Sequence, residues 1–203
     1  CRNAFVGVYL ASDDQLTKRQ PLSKNQISRL QHTCSQIDDD LRWLIALISD
    51  TGMRLAEAAG LKIEDLKLDH QHPHIKLAPY PHRTLKTKSS ERVIPLVGSS
   101  LWAAKRIKES SVNEFCFARY SNEEVCNSNS ASAALNKWLK TIAGKDAVIH
   151  GLRHSFRDRL REVEAPSELI DQLGGWSLQS VGQSYGNGYA IENMSKWMEK
   201  IVI

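Results

Sequence analysis

In the stretch HGLRHSFRDRL, His150 and Arg153 stand three residues apart. On a helix, residues at that spacing are neighbours, and at a helix's first turn the unpaired backbone N–H groups and the positive end of the dipole add to their charge. Such a pair could hold an anion. Three more features have polar types suited to the same chemistry. They are Arg54 in TGMRLAEAAGLKIEDL, Lys86 and Lys88 in LKTKSSERVIP, and Trp176 with Tyr185 in LGGWSLQSVGQSYGNGY. Each also has an ordinary explanation. Arg54 could cap a turn or pair with Glu57, the arginines after His150 could be a solvated face, Trp176 could be core, and Tyr185 or Tyr189 could be surface residues of a glycine-rich loop.

The elements that must position these residues follow from periodicity. Leu152, Phe156, Leu160 and Val163 recur at spacings of four, four and three, the apolar stripe of a helix, with Arg153, Arg157 and Arg161 in a row beside it. Upstream, Ser23 and Gln26 form a capping-box pattern that starts a helix, and a second, apolar helix is expected around Leu41 to Asp50. Gly52 then turns the chain into a short helix carrying Arg54, Leu55, Glu57 and Ala58, with another bend after Gly60. From His74 to Leu96, IKLA and RVIPL read as two strands joined across HRTLKTKSSE. Helical patterns resume in LWAAKRIKES and in SASAALNKWLKTIA, where Leu135, Trp138 and Leu139 face one way. A helix begins at Pro166 and Ser167 and stops at Gly174 and Gly175. Ser177 can cap a short helix leading to Tyr185, and IENMSKWMEKIVI closes the chain with Met194, Trp197, Met198 and Ile201 on one side. The fold class is therefore mainly α with one small antiparallel β-sheet, an α+β domain. Residues 1–22 lack sustained periodicity and read as a linker; 23–203 form the domain, with a C-terminal tail from about 190.

Composition bounds the possibilities. With 203 residues, 41% of them hydrophobic and 25% charged, the chain can bury one ordinary core. It has no apolar run of membrane-spanning length and no signal or acylation pattern. Because it opens on Cys1 rather than methionine, a preceding portion is expected. Its four cysteines contain no CxxC pair, which favours a reducing compartment. His70, His72 and His74 alternate, but Pro73 lies among them and no supporting cysteine or HExxH helix accompanies them, so a loop running into a strand is preferred to a metal site. A net charge of +4 is too small to establish nucleic-acid binding; its concentration in HRTLKTKSSER and HGLRHSFRDRLR is compatible with a phosphate backbone.

Taken in order, the polar features resemble the catalytic domain of the tyrosine recombinases, the phage integrase family, over about residues 23 to 190. TGMRLAEAAGLKIEDL is similar to that family's TGxRxxExxxLxxxD pattern through Thr51, Gly52, Arg54, Glu57, Leu61 and Asp65; His150 and Arg153 match its HxxR element. Trp176 stands at the family's histidine-or-tryptophan position after a Gly-Gly pair, and Tyr185, nine residues on, at its nucleophile position. That spacing favours Tyr185 over Tyr189. The family's lysine lies in the β-hairpin; Lys86, in a Lys-Thr pair, matches better than Lys88, and either ammonium could reach the leaving oxygen.

The resemblance implies a site-specific DNA recombinase working through a 3′-phosphotyrosine. Arg54 and Arg153 would clamp the phosphate, Tyr185 would attack it, His150 would accept or position the phenolic proton, Lys86 would act as general acid and Trp176 would orient the phosphate through its indole N–H. It further implies double-stranded DNA as partner, a homotetramer on two DNA sites, accessory DNA-bending proteins, a missing N-terminal core-binding domain, and a cytoplasmic, nucleoid-associated setting in a prokaryote, with no membrane association, cofactor, metal or ATP. Relaxation of supercoils by type IB topoisomerase chemistry, and a catalytically silent DNA-binding module of the same fold, are the competing readings.

Overall fold

A computed structural model describes residues 20–176 and 188–203. Its first helix, α1 (Lys24–Ile37), starts at the expected capping box: Gln26 N donates to Ser23 Oγ at 3.3 Å and Ser23 N donates to Gln26 Oε1 at 2.8 Å. Helix α2 (Asp40–Thr51) is capped by Asp39, and every residue from Leu44 to Thr51 is buried. Such a helix, apolar nearly all round, must sit inside the molecule, and α2 packs against α1, α4 and α6.

Gly52 ends α2 in the left-handed region at φ +61°, which L side chains enter at a cost. An added Cβ there would also lie 2.3 Å from Phe156 Cδ1. Gly52→Ala is thus expected to destabilise the domain by about 2 to 4 kcal/mol, strain and overpacking combined, measurable as a lowered denaturant midpoint with an unchanged m-value.

After the turn come α3 (Leu55–Ala59) and an antiparallel meander of β1 (Leu66–Lys67), β2 (His74–Leu77) and β3 (Arg92–Pro95). The register pairs Leu66 with Ile75, Ile75 with Ile94, and Leu77 with Arg92. The two expected strands appear as β2 and β3. The third, β1, is two residues long, too short to display an alternation.

Helices α4 (Gly98–Ser110), α5 (Ser128–Ala143), α6 (Ile149–Glu162), α7 (Ser167–Gly174) and α8 (Ile191–Glu199) complete the described chain. On α5, Leu135 and Leu139 are buried, while Trp138 lies at the margin under the Arg42 guanidinium, 4.6 Å away. On α6, Leu152, Phe156 and Leu160 are fully buried. They join the main core to a second cluster that includes Leu169, Leu173, Met194, Met198 and Ile201. The C-terminal helix thus seats its methionine stripe on its own chain, with Trp197 only partly covered.

Arg159, absent from the expected arginine row, is buried. Its Nη1 donates to Asp50 Oδ1 at 2.9 Å and to the Ile201 carbonyl at 3.0 Å, and its Nη2 donates to the Ser49 carbonyl. Among the described residues no helix is long and apolar enough to cross a membrane, and no three His, Cys, Asp or Glu side chains are placed to hold a metal ion.

Candidate active site

Three stretches far apart in sequence, 52–54, 150–153 and 174–176, meet around one buried guanidinium. Arg153, the fifth residue of α6 and 4% exposed, donates from Nη1 to the Gly52 carbonyl and from Nη2 to the Gly174 carbonyl, both at 2.6 Å. It therefore ties the turn before Arg54 to the turn before Trp176. Each of its Nη atoms carries one further proton, so the same fork can bind an anion while holding both turns.

Arg54 is the N-cap of α3. Its Nη1 donates to Glu57 Oε1 at 2.5 Å and to Ser90 Oγ at 3.0 Å, while Glu57 Oε2 accepts from the Arg54 backbone N–H at 3.0 Å. The pairing of Arg54 with Glu57 is thus real, and it is one edge of a larger web. Glu57 Oε2 also accepts from Arg92 Nη2 at 3.0 Å; Arg92 Nε donates to the Leu173 carbonyl at 2.8 Å and its Nη1 to the Ser90 carbonyl at 2.7 Å. One carboxylate accordingly joins α3 and β3, and β3 in turn holds the end of α7.

The electrostatics follow from this sharing. Burial pushes the Glu57 carboxyl up, but Arg92 and the hydrogen bonds from Arg54 and Arg92 outweigh it and hold Glu57 below its ordinary value. Arg153 is pushed down to about 9, by burial first and then by the facing Arg54 and Arg92, so it keeps its charge at neutral pH. Arg54 and Arg92 share one carboxylate while Arg153 faces them bonded only to backbone carbonyls, and the excess positive charge sits in a partly dry environment where an entering anion is strongly favoured.

The Gly-Gly pair before Trp176 has two separate reasons. A Cβ on Gly174 would fall 1.8 Å from Trp176 Cζ3, so the indole lies across this residue. Gly175 caps α7 at φ +62°, and a Cβ there would meet Arg92 Nη1 at 2.8 Å and the Ser89 carbonyl at 2.9 Å. The indole itself lies under Arg153, whose Cζ is 4.4 Å from the ring centroid.

His150 is half-buried on the first turn of α6, its ring edge-on to His154 at 5.1 Å. Lys86 and Lys88 are both exposed on the β2–β3 connection, one on each side of Thr87. That connection is anchored to the cluster at its end, since Thr87 Oγ1 lies 3.0 Å from the same Ser90 hydroxyl that Arg54 contacts. Tyr185, and the helix expected from Ser177, lie outside the described residues. Tyr189 is partly buried against the second hydrophobic cluster, with its backbone clasped by Gln172: Nε2 donates to the Tyr189 carbonyl at 3.0 Å, and Tyr189 N donates to Oε1 at 2.8 Å.

Arg92, Ser90 and Arg157 join this cluster without having been expected there. For Arg92 a sequence signal existed, an arginine opening an otherwise apolar strand, which must find a buried partner. Arg157 had one too, standing in the arginine row with Arg153; Ser90 left none.

Residues 20–190 match the Phage integrase family. The tyrosine recombinase XerA of Pyrococcus horikoshii is 23% identical over 168 residues, covering 81% of this chain and 55% of that protein. The fold is similar to that of the XerH site-specific recombinase bound to palindromic difH substrate in a post-cleavage complex, with TM-score 0.59 and 20% identity over 95% of this chain and 52% of that one. It is likewise similar to the lambda integrase catalytic core, with TM-score 0.53 and 19% identity over 77% of this chain and 91% of that one. The chain thus spans about half the length of the XerA relative.

Proposed function

Because the chain belongs to the phage integrase family and has the mainly α fold of tyrosine recombinase catalytic cores, we propose that it supplies the catalytic domain of a site-specific DNA recombinase. The observation that carries this reading is Arg153 bridging the Gly52 and Gly174 carbonyls: one guanidinium gathers the residues on which a phosphodiester would rest.

Arg54 and Arg153 hold the non-bridging oxygens of the scissile phosphate and stabilise the negative charge that concentrates there as the nucleophile arrives. The Tyr185 phenolic oxygen attacks phosphorus and forms the 3′-phosphotyrosine ester. Its proton passes to His150, and the P–O5′ bond breaks with its electron pair leaving on O5′. Lys86 protonates that oxygen, and Trp176 orients the phosphate through its indole N–H. Rejoining is the reverse, with a second strand's 5′-hydroxyl as nucleophile. The ester conserves the energy of the broken bond, so ATP has no part, and the paired guanidiniums take the charge-neutralising role a metal ion would otherwise have.

Residues 23–203 are the catalytic domain with its tail from about 190, and 1–22 are the linker from an N-terminal DNA-clamping domain. The assembly is a homotetramer on two double-stranded DNA sites, open to accessory DNA-bending proteins, and it works where the cell's DNA lies.

The deciding experiment incubates the full-length protein with nicked duplexes from the DNA flanking its gene, isolates denaturant-resistant adducts and maps the modified residue. An adduct on Tyr185 supports the reading. An adduct on Tyr189 replaces the nucleophile, and tight binding without any adduct favours a silent DNA-binding module.

A simpler consequence concerns anions alone. Inorganic phosphate should raise the melting temperature by occupying the guanidinium cluster, with about 1.4 kcal/mol of stabilisation at ten times its Kd. Arg153→Ala should abolish the increment in a thermal melt; a persisting increment would place the ion elsewhere.

A further inference from the structure

Trp176 carries a second guanidinium that the reaction above does not use. Arg157 lies one helical turn beyond Arg153 on α6, and its Cζ is 4.8 Å from the Trp176 ring centroid. Like charges four residues apart on a helix repel each other, so this placement needs support. Asp171 of α7 provides it: its Oδ1 lies 3.3 Å from Arg157 Nη2, with the carboxylate side chain only 11% exposed. Asp171 grips the tryptophan a second time through its main chain, its carbonyl accepting from Trp176 N at 3.0 Å.

We infer that Arg157, held by Asp171, is a positioning residue that sets the orientation of the Trp176 indole. Trp176 follows two glycines and has no helix of its own to fix its side chain, so the ring needs contacts on its faces to have one orientation. Gly174 supplies a bare backbone for it to lie on, and the two arginines supply planar, charged surfaces that pack against an indole and favour its electron-rich face. A ring held in this way presents its single N–H donor in one direction, which is what a phosphate-orienting residue requires. An imidazole at this position would offer a smaller ring and a weaker cation–π face.

The inference rests on the recombinase reading for its functional half, and the test separates the two. The full chain is labelled with 5-fluorotryptophan, and the Trp176 resonance is identified among its five tryptophans by Trp176→Phe. Arg157→Lys keeps the charge and a partner for Asp171 but loses the guanidinium over the ring, so it should shift the Trp176 fluorine resonance and leave the other four in place. On a nicked duplex recovered from the organism's own genomic DNA by covalent attachment to the protein, Arg157→Lys should slow adduct formation about tenfold at saturating DNA without changing the half-saturating concentration. In a Trp176→Ala background the same substitution should change the rate less than about twofold.

An unmoved Trp176 resonance, an undiminished rate loss in the Trp176→Ala background, or a change confined to half-saturation would each overturn the inference. If the parent chain forms adducts and Arg157→Lys forms them equally fast, the inference fails and the recombinase reading stands. If the parent chain attaches to no genomic fragment, the recombinase reading fails and the functional half falls with it, while the fluorine shift still decides whether Arg157 orients the ring.

Discussion

The Tyr185→Phe chain is expected to bind DNA as its parent does and to form no covalent adduct with it. The substitution removes one oxygen, and that oxygen is the atom that would bond to phosphorus; a phenyl ring has nothing to replace it. Loss should be complete rather than partial, unlike the graded losses of a displaced charge or proton donor. Tyr189, four residues on, is a poor substitute because its backbone is clasped on both sides by Gln172 and its side chain is partly buried against the second hydrophobic cluster. Tyr189→Phe should accordingly keep adduct formation. Electrophoresis of labelled nicked duplex under denaturing conditions reads both outcomes, and a Tyr185→Phe adduct mapped to Tyr189 would remove Tyr185 from the mechanism.

Glu57→Ala should destabilise the domain by about 3 to 5 kcal/mol, the loss typical when one partner of a buried ion pair is deleted. The Glu57 and Arg92 side chains are 4% and 3% exposed, and Arg54 leans on the same carboxylate. Deleting the acid leaves Arg54, Arg92 and Arg153 facing one another with no anion among them. Glu57→Gln, which keeps the shape and an acceptor, should lose less stability and separates charge from packing.

The pH dependence of stability carries the same signature. The Glu57 carboxyl is held below its ordinary value of 4.5 in the folded chain, so the unfolded chain takes up its proton first as pH falls. Its contribution is complete above the ordinary carboxylate value and is lost as pH drops through the folded one. Denaturant titrations from pH 7 down to about pH 3 should therefore show a shallower fall for Glu57→Gln than for the parent; equal slopes would mean that the charge does not stabilise the fold.

Much of the architecture could be anticipated because it is local. Capping at Ser23 and Gln26, the turn at Gly52, the apolar stripe of α6 and the stop at Gly174 and Gly175 each depend on residues within a few positions of one another, and each appears where the pattern puts it. Strand β1 escaped because two residues carry no period. Helix α8 offered an apolar stripe that could equally have met a neighbouring copy; only the packed chain shows Met194 and Met198 buried against α6 and α7 residues.

By itself the sequence determined the family, the fold class and the order of the polar motifs, since these are written in residue type and spacing along one dimension. The tertiary structure decided how those motifs are joined. That Arg153 spans Gly52 and Gly174, that Glu57 serves both Arg54 and Arg92, and that Arg157 reaches Trp176 are contacts between segments separated by as many as 101 residues. Arginine makes this possible and hides it at once. Its long side chain and several donors let one residue reach many acceptors, and which acceptors it meets depends on the packed backbone rather than on any periodic signal in the chain.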